Sequence, residues 1–255
     1  MSNLIDAHGL RKVYGDFVAV DDISFSVEPG EIVGFLGPNG AGKTTTLKML
    51  TGLLPPDSGR VLIAGHDIQQ DPLAAKAALG YVPDTPNLYG RLKAIEYLRF
   101  VGQLYRVPTE VAERRIRRML ELFELTESAG GYLDGFSHGM QQKVAIAAGF
   151  VHDPGIIFLD EPTVGLDPRS ARLIKDLMIQ RRESGKSVLF STHILEIAEH
   201  MCDRVIIIHK GRILADAKVT DLRQMQGEQS LEDIFLEMTG GREVDDMVKE
   251  LAGAS

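Results

Sequence analysis

The stretch that decides the fold is Gly37-Pro38-Asn39-Gly40-Ala41-Gly42-Lys43-Thr44. It fits the pattern G-x-x-x-x-G-K-[ST] and lies between an apolar strand and a helix, where backbone N–H groups can surround phosphate oxygens. Lys43 is expected to place its ammonium on the β- and γ-phosphates, and the Thr44 hydroxyl to ligate Mg²⁺. Together with Thr45, which follows it, this stretch therefore predicts a nucleotide-binding phosphate loop.

A second apolar strand, residues 156–159, ends in Asp160 and Glu161. Phosphoryl-transfer sites of this kind need a carboxylate near the metal. Asp160 is expected to hold the water shell of Mg²⁺, and Glu161 to polarise the water that attacks the γ-phosphate. An Asp-Glu pair at a strand end is also common in solvated turns, but together with the phosphate loop it favours the catalytic interpretation.

The hydrophobic pattern predicts an α/β fold: a P-loop NTPase core with an antiparallel β subdomain and an inserted α-helical subdomain. Short β-branched runs bounded by Gly, Pro or Asp fill the first third of the chain, and apolar residues then recur at helical spacing. The expected organisation is one domain of 1–255, divided as follows: 1–84 and 152–220 for the nucleotide-binding core, 85–151 for the helical subdomain, and 221–255 for a C-terminal helical extension.

Composition restricts the partners and the compartment. The 255 residues are 44% hydrophobic and 25% charged, which is ordinary for a globular chain. The net charge of −8 argues against nucleic acid as the main partner. The longest apolar run, 144–151, is far shorter than the roughly 18 residues of a membrane helix, and the one cysteine fits a reducing compartment. We therefore expect a cytoplasmic chain.

Several motifs follow one another in the order found in ATP-binding cassette (ABC) transporter ATPases, which this chain resembles over about residues 4–215. After the phosphate loop and the helical insertion come Ser137–Gln142, Leu159–Pro162, Gly165–Asp167 and Ser191–His193. The resemblance implies an ATPase that uses ATP and Mg²⁺ and forms a head-to-tail dimer with a second ATPase subunit. It also implies a separately encoded membrane permease and a peripheral location on the inner face of the cell membrane.

The resemblance also implies roles for individual residues. Tyr14 would stack on adenine, and His193 would act with Lys43 and Glu161 in catalysis by sensing the γ-phosphate. Ser137 and Gly139 would contact the γ-phosphate of ATP held by the other subunit. Their position at a predicted helix start agrees with this, because a helix N-terminus favours negative charge. Asp167 would link the two sites across the dimer interface.

Two motifs depart from the pattern that the resemblance implies. The usual Leu-Ser-Gly-Gly-Gln is Phe136-Ser137-His138-Gly139-Met140 here, so one glycine and the glutamine are replaced. Asp84 stands where a metal-ligating glutamine is usual. A carboxylate can also ligate Mg²⁺, whereas an Asp before Thr-Pro is equally a good turn residue. The sequence leaves both interpretations of Asp84 open.

Three function classes compete. Segment 230–240 resembles the ending of exporter-type ATPase subunits, although an amphipathic helix that only caps the fold has the same pattern. A soluble ABC-type ATPase acting on nucleic acid or ribosomes would carry tandem cassettes or a long coiled coil, and neither is present. The third class is a P-loop GTPase or kinase, and the Asn-Lys-x-Asp motif that reads guanine does not occur. The sequence favours the transporter ATPase, with export as the expected direction.

Overall fold

The computed structural model describes residues 3–225 and 230–239, which form two sheets flanked by helices. The strands are β1 (Ile5–Tyr14), β2 (Phe17–Val27), β3 (Ile32–Leu36), β4 (Ser58–Ile63), β5 (His66–Asp67), β6 (Leu79–Val82), β7 (Ile156–Asp160), β8 (Ser187–Thr192), β9 (Arg204–His209) and β10 (Arg212–Lys218). The helices are α1 (Lys43–Leu50), α2 (Pro72–Ala77), α3 (Ala94–Leu104), α4 (Thr109–Leu122), α5 (His138–Val151), α6 (Pro168–Glu183), α7 (Leu195–Met201), α8 (Val219–Met225) and α9 (Leu231–Thr239).

The larger sheet has the strand order β10-β9-β3-β8-β7-β6, and all its pairs are parallel except β9 with β10. The smaller sheet, β2-β1-β4-β5, is antiparallel throughout. Strands β3, β7 and β8 are buried at every residue, as expected for a parallel sheet covered on both faces. This arrangement confirms the predicted α/β class with an antiparallel β part.

Parallel pairing brings the chemically important segments to one edge of the sheet. Leu36, the last residue before the phosphate loop, pairs with Thr192, and Asp160 pairs with Ser191. The carboxyl ends of β3, β8 and β7 therefore meet, which is where open α/β sheets bind their ligands.

Helices α3, α4 and α5 form the insertion between β6 and β7 and pack against one another. Their apolar faces share one core that includes Leu98, Ile116 and Ile146. Helix α5 is capped by Ser137, whose hydroxyl accepts a hydrogen bond from the Met140 N–H at 3.3 Å.

The exact limits 85–151 of the helical subdomain stay a prediction. Of the predicted extension 221–255, residues 226–229 and 240–255 lie outside the described part of the chain.

Some elements differ from the sequence expectation. The β-branched run 23–27 predicts only the second half of β2, and the run 4–7 predicts only the start of β1, which continues to Tyr14. Register shifts after Ala7 interrupt the alternation on which a strand prediction depends. Helix α2 was missed, although Asp71 caps it and Pro72 begins it. The sequence pattern predicts a helix over residues 193–201, whereas α7 begins at Leu195. Among the described residues, no helix is long and apolar enough to cross a membrane.

Candidate functional site

The phosphate loop wraps closely over the end of β3. Gly40 and Gly42 have φ of 79° and 109°, in the left-handed region that side chains other than glycine rarely adopt. A Cβ atom on Gly42 would lie 2.5 Å from the Ala19 carbonyl oxygen, and one on Gly37 would lie 2.4 Å from the Ile208 carbonyl oxygen. Glycine is therefore required at both positions to let the backbone fold into this loop.

The Lys43 side chain is buried inside the loop. Its Nζ donates hydrogen bonds to the carbonyl oxygens of Gly37 at 2.6 Å and Pro38 at 3.2 Å, and lies 3.8 Å from Glu161 Oε1. Burial lowers the pKa of Lys43, and the negative charges of Glu161 and Asp160 partly offset this effect. The ammonium is thus held at the point of the loop where phosphate oxygens would meet it.

The carboxylates at the end of β7 are fixed by the neighbouring strand. The Ser191 hydroxyl donates a hydrogen bond to Asp160 Oδ1, and the backbone N–H of Glu161 donates to both the hydroxyl and the carbonyl oxygen of Ser191. Glu161 has φ of 47°, which turns the chain away from the strand direction. Its Oε1 lies 3.0 Å from His193 Nδ1. The structure therefore brings together Lys43, Asp160, Glu161 and His193, four residues that the sequence singled out.

Asp160 is buried in an unfavourable electrostatic environment. Burial raises its pKa above 3.8, the Ser191 and Thr44 hydroxyls lower it, and the charges of Asp84 and Glu161 raise it again. Its Oδ2 and the Glu161 Oε2 are buried without a hydrogen-bond partner among the described residues. Open carboxylate oxygens beside a threonine hydroxyl are the hard donors that Mg²⁺ prefers.

The donor set does not enclose a metal on its own. Within 3–225 and 230–239, no group of three or more His, Cys, Asp and Glu side chains could hold a metal ion. Mg²⁺ typically keeps several waters and is bound by one or two protein oxygens plus substrate phosphates. The residues present fit Mg²⁺ in that mode.

A cavity of about 270 Å³ opens in front of the loop. Tyr14 and Phe17 stand at its mouth, directly opposite each other across the two-residue turn between β1 and β2, with 48% and 61% of their surfaces exposed. Sequence reasoning missed Phe17, although an aromatic residue beside a Gly-Asp turn was the available signal. The lining residues are Tyr14, Phe17, Ala19, Pro38, Asn39, Gly40, Gly42, Lys43, Thr44, Thr45, Asp84 and Glu161.

Seven residues singled out from the sequence do not line this cavity. Four of them, Gly37, Ala41, Asp160 and His193, lie in the phosphate loop or at the ends of β7 and β8, and the other three are Ser137, Gly139 and Asp167. Ser137 is exposed at the start of α5, and a Cβ on Gly139 would lie 3.6 Å from the Gly165 carbonyl oxygen. Asp167 caps α6, accepting hydrogen bonds from the Ser170 N–H and hydroxyl at 2.9 and 2.6 Å. These bonds and nearby Lys143 hold its pKa below the usual range. We refer to Ser137 and Gly139 at the start of α5, together with Asp167 beside Lys143 of that helix, as the α5 group.

The strained charge at Asp160 has a measurable consequence. Because its folded pKa lies above 3.8, the ionised form opposes folding at neutral pH, and protonation as the pH falls through that pKa relieves the opposition. Asp160→Asn is therefore expected to raise the apo-protein Tm at pH 7 by about 2–4 °C, the effect of about 1 kcal/mol in a chain of this size. Differential scanning calorimetry measures this change.

Asp67 provides a matched control, for which the expected change in Tm has the opposite sign. Hydrogen bonds from the Gln69 and Gln70 N–H groups and from Arg60 more than offset burial, so that the pKa of Asp67 is lowered. Its ionised form therefore stabilises the fold at pH 7, and Asp67→Asn should lower Tm. A fall in Tm with Asp160→Asn would contradict the electrostatic account of the site.

Comparison with known proteins agrees with this geometry. Residues 20–164 match the family model described as "ABC transporter". The Nod factor export ATP-binding protein I of Cupriavidus metallidurans is 37% identical over 222 residues, covering 87% of this chain and 73% of that protein. A solved structure of an ATP-binding subunit of an ABC transporter superposes with a TM-score of 0.88 at 34% identity, covering 92% of this chain and 99% of that one.

A dimeric cassette, MJ0796 in a post-hydrolysis state with ADP and Pi, superposes with a TM-score of 0.77 at 28% identity, over 84% of this chain and 98% of that one. The matched family is one of transporter ATPases, so these findings do not favour an ATPase acting on nucleic acid or ribosomes. The chain belongs to the ABC transporter family, as an ATP-binding subunit that hydrolyses ATP to power transport.

Proposed function

We propose that ATP binds with Mg²⁺ in the phosphate-loop cavity and that Glu161 is the general base of its hydrolysis. The observation that carries this proposal is the placement of the Glu161 carboxylate, 3.8 Å from Lys43 Nζ and 3.0 Å from His193 Nδ1 at the edge of the cavity. A base must lie within reach of the attacking water and be oriented by a second group. The contact with His193 and the position of Glu161 in the cavity lining support this role.

Each neighbour of Glu161 has a separate task. Glu161 accepts the proton of the attacking water, while Lys43 and the loop N–H groups stabilise charge on the γ-phosphate oxygens. His193 holds Glu161 through Nδ1, which leaves Nε2 to contact the γ-phosphate. Tyr14, assisted by Phe17, stacks on the adenine ring at the mouth of the cavity.

The metal site consists of Thr44, Asp160 and Asp84. Mg²⁺, when bound, neutralises charge on the β- and γ-phosphate oxygens. Asp84 lines the cavity together with Lys43 and Thr44, which supports the metal interpretation over the simple turn. Its Oδ1 also accepts a hydrogen bond from the Thr85 N–H at 2.7 Å, so that it fixes its own turn. The other carboxylate oxygen remains available for the metal.

The α5 group serves a second copy of an ATPase subunit. It lies apart from the phosphate-loop cavity and has exposed members, which fits contact with the γ-phosphate of a partner in a head-to-tail dimer. MJ0796, a similar cassette, is dimeric. The proposal also includes a partner membrane permease, peripheral attachment at the cytoplasmic face of the membrane, and export as the direction of transport. Export is supported by the similarity to a Nod factor export subunit.

Replacing the base tests the assignment directly. Glu161→Gln keeps the side-chain shape but removes the proton acceptor, so it is expected to lower the ATP turnover number at least 100-fold with ATP affinity retained. Two bound ATP molecules should then hold the subunits together. Size-exclusion chromatography with MgATP is expected to show a dimer. Wild-type turnover in this variant would rule out Glu161 as the base.

Mixing two inactive variants tests the shared site. Lys43→Ala should lose nucleotide affinity, because Lys43 supplies charge to the β- and γ-phosphates. Ser137→Arg should bind ATP as a monomer but not hydrolyse it, because Ser137 acts on the partner's nucleotide. The mixture is expected to regain part of the wild-type activity through the composite site that pairs an intact Lys43 with an intact Ser137. Complete inactivity of the mixture would contradict the dimer model.

Titrating Mg²⁺ against ATPase activity tests Asp84. An ionised carboxylate is a better ligand for a hard cation than an amide oxygen. Asp84→Gln should therefore need several-fold more Mg²⁺ for half-maximal activity. Asp71→Asn, in the capping turn of α2 outside the cavity, is the control and should leave the requirement unchanged. Superimposable curves for wild type and Asp84→Gln would leave Asp84 as a turn residue.

A further inference from the structure

Tyr81 lies beside the metal carboxylates but has no role in the function described above. On β6 it is the register partner of Phe158, which precedes Asp160 by two residues on β7. Residues two apart on a strand project from the same face of the sheet. Tyr81 packs against the core cluster that contains Phe158 and Leu47 of α1. Its ring thus packs on the face of the sheet from which Asp160 projects.

Two polar atoms on this face have no partner among the described residues. The Tyr81 hydroxyl oxygen and Asp160 Oδ2 are both buried without a hydrogen bond. Burial raises the pKa of Tyr81, and the charges of Asp160 and Asp84 raise it further. The hydroxyl is therefore protonated and lies within the electrostatic influence of both carboxylates. Buried polar groups of native proteins are paired in the great majority of cases, with protein or with ordered water.

We propose that the Tyr81 hydroxyl and Asp160 Oδ2 together hold one water of the Mg²⁺ shell, with Tyr81 as a positioning residue. The inference rests on the proposed function, since it requires the metal to bind at Thr44, Asp160 and Asp84. A metal-bound water has two protons to donate: one goes to Asp160 Oδ2 and the other to the Tyr81 oxygen.

This arrangement separates the effect of the hydroxyl on the metal from its effect on folding. In the metal-free protein the hydroxyl is buried and gains no protein partner, so removing it should not destabilise the fold. In the metal complex the same hydroxyl orients a water of the shell. Outer-shell partners of this kind contribute substantially to metal affinity. Tyr81→Phe is consequently expected to change metal binding without lowering apo stability.

The experiment measures binding without turnover. Mn²⁺ replaces Mg²⁺ as the probe, and free Mn²⁺ is quantified by electron paramagnetic resonance in the presence of full-length protein and a non-hydrolysable ATP analogue. Tyr81→Phe should weaken Mn²⁺ binding about tenfold, with an apo Tm equal to or above that of wild type. Tyr97→Phe removes the hydroxyl of another half-buried tyrosine, on α3, and should leave Mn²⁺ affinity unchanged.

Two outcomes overturn the inference. If wild type and Tyr81→Phe bind Mn²⁺ with equal affinity, the Tyr81 hydroxyl does not take part in the metal shell. A lower apo Tm, accompanied by weaker binding of the nucleotide analogue in EDTA, assigns Tyr81 a structural role instead. Failure of the proposed metal site looks different, because wild type itself would then show no Mn²⁺ binding that depends on the nucleotide analogue.

Discussion

The pairing of β7 with β8 is the constraint on which the site depends. In this register Asp160 lies opposite Ser191, so one serine can bond to the Asp160 carboxylate with its hydroxyl and to the Glu161 N–H with both of its oxygens. Glu161 leaves the strand at a positive φ because the bond from its N–H holds it there. The position of the Glu161 backbone, from which its carboxylate projects, is therefore set by the pairing of β7 with β8.

Electrostatics explains why these groups are poised for a cation and phosphates. Three carboxylates, Asp84, Asp160 and Glu161, surround the end of β7, while Lys43 is the positive charge beside them. Burial opposes the charged forms of both Asp160 and Lys43. The environment of Asp160 and Lys43 therefore makes the ligand-free protein less favourable than a form in which Mg²⁺ and phosphate are bound. Unfavourable charge interactions at functional sites lower the stability of the folded protein and are retained where the function requires them.

The sequence was most informative where the signal was local. The phosphate loop combines a strand, a glycine pattern and a helix within about 20 residues, and its fold followed from that pattern. Asp160 and Glu161 were found because they end an apolar strand. Tyr81 was missed because its position relative to Asp160 depends on which strand lies beside β6, and register between strands is not written in either strand alone. Phe17 was missed although an aromatic residue beside a Gly-Asp turn is a local signal. The start of α7 shifted because His193 contacts Glu161 instead of entering the helix.

The loop from Glu161 to Asp167 connects the phosphate-loop cavity with the α5 group within one chain. At one end, Glu161 is held in the phosphate-loop cavity, and at the other, Asp167 lies 3.4 Å from Lys143 of α5. Between them, the His138 ring and Gly139 pack closely on Gly165. The segment that carries Glu161 therefore also meets α5 at two places, through the ion pair of Asp167 with Lys143 and through the approach of His138 and Gly139 to Gly165.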